Sequence, residues 1–290
     1  MKISLATLAF RPYITLSDFD RHIDSCALQA SAAGSQLLLL PELTCVGLLW
    51  GHPGASKARI EDIGQLYRSV LTPLLPSYRE ILSAIAVRRN IVVAGATFWH
   101  ESCCGGLNTG FVAWPDGRVL TQDKLHPTRP EKAIGTSGGS NVAVFSVNGV
   151  SAALLICYDL QFPELTRYVV DQGVELLLVP SLTTERGAWR IRHAAHARAV
   201  ENQIFVCVSP MVGNLGIPAE QPLTAVGGSF VACPIDNRFI VVDGTYVRAE
   251  DNLESVIHIT LDFVKLRLSR QRSEIQHLAD RRPDLYANLK

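Results

Sequence analysis

Residues 36–43 of this chain are Gln-Leu-Leu-Leu-Leu-Pro-Glu-Leu, an apolar run that a proline stops and a carboxylate follows. A short run that is apolar on both faces of an extended chain is typical of a strand covered on both sides. Runs of the same kind, bounded by glycine, proline or polar residues, occur at residues 91–98, 152–157, 174–179 and 203–209. The sequence therefore predicts several strands buried on both faces, with the first complete at about Leu40.

Segments with helical spacing lie between these strands. Ser17 can cap a helix that runs to about residue 33 and that Gly34 ends. Further helices are predicted at residues 74–90, 163–172 and 187–201. Alternating strands and helices are typical of a layered α/β fold. No linker is evident, so residues 1–290 are predicted to form one domain. Its charged tail, from about residue 266 to 290, would dock on the body or on a partner subunit through Leu285, Tyr286 and Leu289.

The charges balance, with 27 Lys and Arg against 27 Asp and Glu. A neutral chain offers no electrostatic attraction to nucleic acid or to an anionic membrane, so a small neutral substrate is the better expectation. No apolar stretch approaches the roughly 20 residues of a membrane span, and residues 1–13 suit a first strand better than a secretory signal. The seven cysteines, an odd number without a CxxC pair, suit a reducing cytoplasm.

Two polar residues follow buried strands. Glu42 comes directly after the leucine run, and Cys157 lies where the run 152–157 meets a polar turn that leads into a helix. Side chains at the carboxyl ends of strands often line the active sites of α/β proteins. Taken singly, Glu42 could be a solvated carboxylate and Cys157 a buried structural thiol. Lys124, after a predicted strand at residues 118–121, and Glu131, in a proline-rich loop, are ambiguous in the same way.

Other features favour ordinary structure. The glycine-rich residues 135–139 precede a strand, whereas a phosphate-binding loop follows one. His193 and His196 lie three residues apart on a predicted helix, without the third ligand of a zinc site, so neither a metal nor an organic cofactor is predicted. The adjacent Cys103 and Cys104 would bridge each other only with strain, so a redox role for them is a minor alternative.

In order along the chain, the motifs resemble those of the nitrilase superfamily of carbon–nitrogen hydrolases. They are Pro-Glu-Leu around Glu42, Asp-Lys-Leu-His around Lys124, Glu131, Cys-Tyr-Asp-x-x-Phe-Pro-Glu from Cys157, Val-Pro-Ser at 179–181, Ala-Arg-Ala-Val-Glu-Asn-Gln at 197–203, and Arg-Arg-Pro-Asp-Leu-Tyr at 281–286. The resemblance spans nearly the whole chain.

This resemblance implies an α-β-β-α sandwich of four layers, in which helices flank two stacked mixed β-sheets, and it implies a homodimer. It also implies a Glu–Lys–Cys triad, here Glu42, Lys124 and Cys157, joined by Glu131. Cys157 would attack a small amide and form a thioester, with Glu42 as base and with Lys124 and the backbone N–H of Tyr158 holding the oxyanion.

The branch within the superfamily stays open. Cys157-Tyr158-Asp159 stands where nitrilases usually have Cys-Trp-Glu, which favours amides over nitriles. Branches that act on carboxylate-bearing substrates often place an arginine shortly after the cysteine, where this chain has Gln161. The alternatives are an N-carbamoyl hydrolase, a nitrilase, and a binding or scaffold protein without turnover. Trp189 is a candidate for contact with the substrate.

Overall fold

This computed structural model describes residues 1–288, which contain thirteen strands and eight α-helices. Leu289 of the predicted docking tail lies outside the described residues. The strands are β1 (Lys2–Ala9), β2 (Leu37–Leu39), β3 (Val92–Ser102), β4 (Gly105–Ala113), β5 (Val119–Asp123), β6 (Val144–Val147), β7 (Val150–Leu154), β8 (Leu176–Leu182), β9 (Phe205–Asn214), β10 (Thr224–Ala225), β11 (Phe230–Ala232), β12 (Thr245–Arg248) and β13 (Ser255–Thr260).

The α-helices are α1 (Leu16–Ala32), α2 (Ile63–Leu66), α3 (Leu75–Arg89), α4 (Arg129–Ala133), α5 (Pro163–Asp171), α6 (Glu185–Asn202), α7 (Phe263–Arg272) and α8 (Pro283–Tyr286). Short 3-10 helices cover Thr44–Gly51, Ala55–Lys57, Ile60–Asp62, Thr72–Leu74 and Cys157–Gln161, and a π-helical turn covers Tyr67–Leu71.

The strands form two mixed sheets that share hydrogen bonds at one point. The first sheet has the order β5-β4-β3-β2-β1, with β13 added to β1, and the second has the order β9-β8-β7-β6, with β11 added to β9. The last residues of β1 pair with β9, Leu8 with Met211 and Ala9 with Val212. The inner strands of each sheet are parallel and the outer ones are antiparallel.

Alternation of side chains along each inner strand builds the layers. In β2, Leu37 and Leu39 pack in a core shared by both sheets, whereas Leu38 packs in the core against α1 and α3. In β8, Leu176 and Leu178 join the shared core, and Leu177 packs against α5 and α6. Successive strand residues point to opposite faces, and each face of β2 and β8 is covered by a core. The leucines named here are therefore all buried. The predicted four-layer sandwich is confirmed.

Two predicted boundaries were wrong. Helix α1 is capped by Thr15 and not by Ser17: the Thr15 hydroxyl accepts from the Asp18 N–H at 3.2 Å, and the Asp18 carboxylate accepts from the Thr15 N–H at 2.8 Å. This reciprocal capping box satisfies two helix-end donors, which Ser17, inside the helix, cannot do. Strand β7 ends at Leu154, three residues earlier than predicted, so Cys157 begins a 3-10 helix and does not end a strand.

The C-terminal segment packs partly on the body. Leu266 of α7 is buried, and Arg281 Nη1 lies 2.5 Å from Asp171 Oδ1 at the end of α5. Leu285 and Tyr286 are exposed on this chain, so their contact with a partner subunit stays a prediction. None of the helices within residues 1–288 combines the length and the apolar character needed to cross a membrane.

Candidate active site

Glu42 follows the end of β2 in the first sheet. It is almost fully buried, with 2% of its surface exposed. Its Oε1 accepts from Lys124 Nζ at 2.7 Å and from Asn108 Nδ2 at 2.9 Å, and its Oε2 accepts from the Leu182 backbone N–H at 2.9 Å. Burial raises the pKa of Glu42, and the Lys124 ammonium opposes that shift without cancelling it. The result is a desolvated carboxylate with a raised pKa, as a general base requires.

Lys124 follows β5 directly and lies between two carboxylates. Besides the bond to Glu42, its Nζ donates to Glu131 Oε1 at 2.9 Å and to Glu131 Oε2 at 2.8 Å. Burial by itself would lower the pKa of Lys124, but its interactions with the carboxylates of Glu42 and Glu131, and with Cys157 where that thiol ionises, outweigh burial and raise the pKa. Lys124 is therefore a fixed cation and cannot act as a base at neutral pH.

Glu131 lies in the first turn of α4 and is held from two sides. Its Oε2 accepts from the backbone N–H and from the hydroxyl of Thr128, both at 2.7 Å, which caps the helix. Burial would raise the pKa of Glu131, but Lys124 and the Thr128 hydrogen bonds outweigh it and lower the pKa. Glu131 thus remains ionised and anchors the lysine.

Cys157 lies at the end of the second sheet, opposite Glu42. Its backbone adopts φ +50°, a left-handed conformation that non-glycine residues adopt at a cost of about 1–3 kcal/mol. Its Sγ lies 3.8 Å from the carbonyl oxygen of Leu182, the residue whose N–H binds Glu42. Burial and the Glu42 carboxylate raise the pKa of Cys157 to about 12, although Lys124 acts in the other direction. Cys157 therefore rests as a thiol.

Asp159 fastens the turn that carries Cys157 to the loop that carries Lys124. Its side chain is 1% exposed and accepts from the backbone N–H groups of Leu125 at 3.2 Å, His126 at 2.8 Å and Ile156 at 3.2 Å. These bonds satisfy a carboxylate that burial would otherwise make costly. The cysteine and the lysine are thereby held at a fixed separation.

The structure brings together all four predicted residues, Glu42, Lys124, Glu131 and Cys157. It also adds three groups that sequence reasoning missed: the amide of Asn108, the carboxylate of Asp159 and the backbone of Leu182. A polar residue inside the apolar stretch that became β4 was the available signal for Asn108, because a buried amide needs partners. No side-chain pattern identifies a backbone N–H such as that of Leu182.

Trp189 does not contact the four residues directly. It is 53% exposed on the second turn of α6 and lines a cleft of about 260 Å³ together with Ser181 and Arg192. Ser181 precedes Leu182, and its buried hydroxyl has no hydrogen-bond partner among residues 1–288. The cleft therefore reaches the residue adjacent to Leu182 and so approaches Cys157.

His193 and His196 do not form a metal site together. His196 Nδ1 lies 2.7 Å from the Arg192 carbonyl oxygen, and its Nε2 lies 2.9 Å from the Thr245 hydroxyl. The described part of the chain holds no group of three or more metal-ligating side chains.

Comparisons with known proteins give the family and the relatives of this chain. The family model for carbon-nitrogen hydrolases matches residues 6–270. The chain is 30% identical over 292 residues to the probable hydrolase YhcX of Bacillus subtilis (strain 168), covering 99% of this chain and 54% of that relative. It is 29% identical over 282 residues to an (R)-stereoselective amidase of Pseudomonas sp, covering 97% and 92%. The chain thus spans about half the length of the first relative and nearly all of the second.

Among solved structures, an amidase from Nesterenkonia sp. AN1 superposes with a TM-score of 0.75 at 26% identity, covering 99% of both chains. That structure shows the product of Michael addition of acrylamide at its active-site cysteine. Another structure of the same amidase, with a TM-score of 0.75 at 26% identity over 100% of this chain and 97% of that one, contains butyramide. The match over residues 6–270 shows that this chain belongs to the carbon–nitrogen hydrolase family, within the nitrilase superfamily that its motifs predict.

Proposed function

We propose that this chain hydrolyses the carbon–nitrogen bond of a small amide through a thioester on Cys157. The observation that carries the proposal is the shared environment of three groups. Lys124 lies 2.7 Å from Glu42, and the single residue Leu182 binds Glu42 through its N–H while its carbonyl oxygen lies 3.8 Å from the Cys157 thiol. Glu42 as base, Lys124 as cation and Cys157 as nucleophile therefore lie close together.

The first step is attack by sulfur on the amide carbonyl carbon. Because the pKa of Cys157 is raised to about 12, a free thiolate is scarce at neutral pH, and the proton must leave as the carbon–sulfur bond forms. Glu42, with its raised pKa, is the base that accepts this proton. The product of the step is a tetrahedral intermediate with a negative oxygen.

Lys124 and the backbone N–H of Tyr158 stabilise that oxygen in our proposal. Lys124 is fixed by three hydrogen bonds to carboxylates, so little reorganisation is needed when negative charge develops. A preorganised oxyanion donor typically contributes about 2.7–4 kcal/mol to transition-state stabilisation. Glu131 acts as the anchor of Lys124 and transfers no proton, since its own pKa is lowered.

Glu42 then returns its proton to the leaving nitrogen, and ammonia or an amine departs as the carbon–nitrogen bond breaks. The same carboxylate next takes a proton from water, whose oxygen attacks the thioester carbonyl. The carbon–sulfur bond breaks, the carboxylic acid leaves and the thiol is restored. The proton that Glu42 took from water returns to sulfur as the carbon–sulfur bond breaks. Over the whole cycle, one amide and one water molecule become a carboxylic acid and ammonia or an amine.

Small aliphatic amides are the proposed substrates. The Pseudomonas relative is named an amidase, and the Nesterenkonia amidase holds butyramide. We place the acyl part of the substrate in the cleft next to Ser181, with Trp189 at its rim. N-carbamoyl compounds and nitriles remain the alternatives, since the same residues could attack either.

A substrate screen with two variants tests the proposal. Wild-type protein should release ammonia from butyramide, and Cys157→Ala should lower this rate by about four orders of magnitude or more. Cys103→Ser, which removes an exposed thiol elsewhere, is the matched control and should keep the rate. Carbon dioxide released with ammonia would identify an N-carbamoyl hydrolase. Turnover of no amide, nitrile or carbamoyl compound would favour the scaffold alternative and overturn the proposal.

We further propose that residues 1–290 act as one domain in a cytoplasmic homodimer. The strand path that runs without a break from β5 to β6 supports a single folding unit. Exposed Leu285 and Tyr286 near the C-terminus support a partner surface. Sedimentation equilibrium should give twice the chain mass, and a monomer at micromolar concentration would contradict the dimer.

A further inference from the structure

Two adjacent thiols project from a hairpin turn outside the active site. Cys103 and Cys104 form the two-residue connection between β3 and β4, where Ser102 pairs with Gly105. Both are exposed, and their sulfur atoms lie 3.5 Å apart. The remaining cysteines of the chain are all buried: Cys26, Cys45, Cys157, Cys207 and Cys233. The turn is thus the one place where two thiols are accessible together.

The backbone of this turn is held by hydrogen bonds on both sides. The Ser102 hydroxyl donates to the Gly105 carbonyl at 2.6 Å and accepts from the Cys104 N–H at 3.2 Å. The Ser137 hydroxyl donates to the Cys104 carbonyl at 3.1 Å. Because the backbone is already ordered, a ligand that bridges the two sulfurs has little conformational entropy to remove.

The sulfur separation suits a shared thiophilic atom better than a direct disulfide. Two sulfurs bound to one atom at about 2.3 Å with a tetrahedral angle lie roughly 3.8 Å apart, close to the 3.5 Å observed. A disulfide usually joins residues whose Cα atoms are about 4.4–6.8 Å apart, whereas neighbouring residues are about 3.8 Å apart across a trans peptide. Binding one atom between the two sulfurs therefore distorts the turn less than forming a disulfide between Cys103 and Cys104.

The number of protein ligands that a thiophilic atom needs decides whether two cysteines are enough to bind it. A structural zinc ion takes four protein ligands, and no group of three or more metal-ligating side chains occurs in residues 1–288. A trivalent arsenic atom that carries one organic substituent needs only two sulfurs to complete three bonds. We propose that Cys103 and Cys104 form a dithiol site for monosubstituted trivalent arsenicals.

The reaction is an exchange without oxidation. In R–As(OH)₂, two arsenic–oxygen bonds break and two arsenic–sulfur bonds form, and each hydroxyl leaves with a thiol proton as water. Arsenic stays trivalent and both sulfurs keep their oxidation state. The neighbouring Cys103 raises the pKa of Cys104, which supports a protonated Cys104 thiol as the starting form.

Titration with hydrated phenylarsine oxide, followed by intact mass spectrometry under native conditions, tests the site. Wild-type protein and Cys157→Ala should each take up one equivalent, which 2,3-dimercaptopropanol removes and a monothiol at the same concentration does not. Cys103→Ser and Cys104→Ser should each bind about a hundredfold more weakly, because the second sulfur no longer acts intramolecularly. Equal uptake by the double variant C103S/C104S, or no uptake by wild-type protein, would overturn the proposal.

Discussion

The Asp159 carboxylate accepts from the His126 backbone N–H at 2.8 Å, and the His126 ring Nδ1 lies 2.9 Å from the same oxygen. Asp159 comes two residues after Cys157, and His126 comes two residues after Lys124. Cys157 and Lys124, our proposed nucleophile and oxyanion donor, are therefore positioned by a partly buried contact between their neighbours.

Asp159→Asn should lower kcat more than it raises KM. The amide has a single acceptor oxygen, so its NH₂ group would face backbone donors that the carboxylate now satisfies, at a cost of about 1–3 kcal/mol. Steady-state kinetics and urea unfolding measure both effects. Glu164→Gln, which removes an exposed carboxylate a few residues away, is the control and should match wild type. Unchanged kcat in Asp159→Asn would show that the contact does not position the site.

Glu42→Gln should cost both activity and stability. The variant removes the general base, which typically contributes about 10²–10⁴-fold in rate. It also breaks a buried ion pair with Lys124, and removing one partner of such a pair costs about 3–5 kcal/mol of unfolding free energy. Kinetics and chemical denaturation would test both effects, with Glu80→Gln on the exposed face of α3 as control. A variant as active as wild type would exclude Glu42 as the base.

The acid limb of the pH profile should report Glu42. Since the pKa of Glu42 is raised, kcat/KM should begin to fall at a pH above the ordinary glutamate value of about 4.3. The negative charge of Glu131 contributes to this rise. Glu131→Gln should therefore move the acid limb to lower pH, in addition to lowering the rate through a looser Lys124. An acid limb of Glu131→Gln at the wild-type pH, or at a higher pH, would contradict the assignment of this limb to Glu42 and of its shift to the charge of Glu131.

Glu254 should make the fold sensitive to acid. Its Oε2 accepts from the Ala9 N–H at 2.9 Å, and its Oε1 pairs with Arg11 and lies 3.6 Å from His22 Nε2. Partial burial would raise the pKa of Glu254, but these contacts outweigh it and lower the pKa to about 2. A lowered pKa stabilises the folded state above the ordinary glutamate value and loses that effect as the pH falls toward about 2.

Glu254→Gln should accordingly be less stable than wild type at pH 7, and the difference should shrink as the pH falls from about 4.5 toward 2. Urea unfolding at a series of pH values measures this convergence. Glu250→Gln, an exposed neighbour, should follow wild type throughout. Parallel curves for Glu254→Gln and wild type would refute the linkage.

The buried strands could be predicted from particular segments, whereas the four layers and the grouping of Glu42, Lys124, Glu131 and Cys157 were implied by the resemblance to the nitrilase superfamily. The four-residue segments 37–40 and 176–179 are apolar at every position, which is typical of a strand covered on both faces. Boundaries were less predictable where side chains compete, as at Thr15 and Ser17, because both can cap a helix and each has an aspartate three residues later, Asp18 and Asp20. The distances within the site depend on Asn108, Asp159 and the Leu182 backbone, whose contacts arise only when distant segments meet.

The position of the site at the junction of the two sheets also bears on how the protein is made. Glu42 and Lys124 follow strands of the first sheet, whereas Cys157 follows β7 of the second sheet and Leu182 ends β8. During synthesis, Glu42 and Lys124 are added to the growing chain before Cys157, and Leu182 is added after all three. Under the mechanism that we propose, folding intermediates with only the first sheet would therefore lack hydrolytic activity, and turnover would begin only after both sheets have formed.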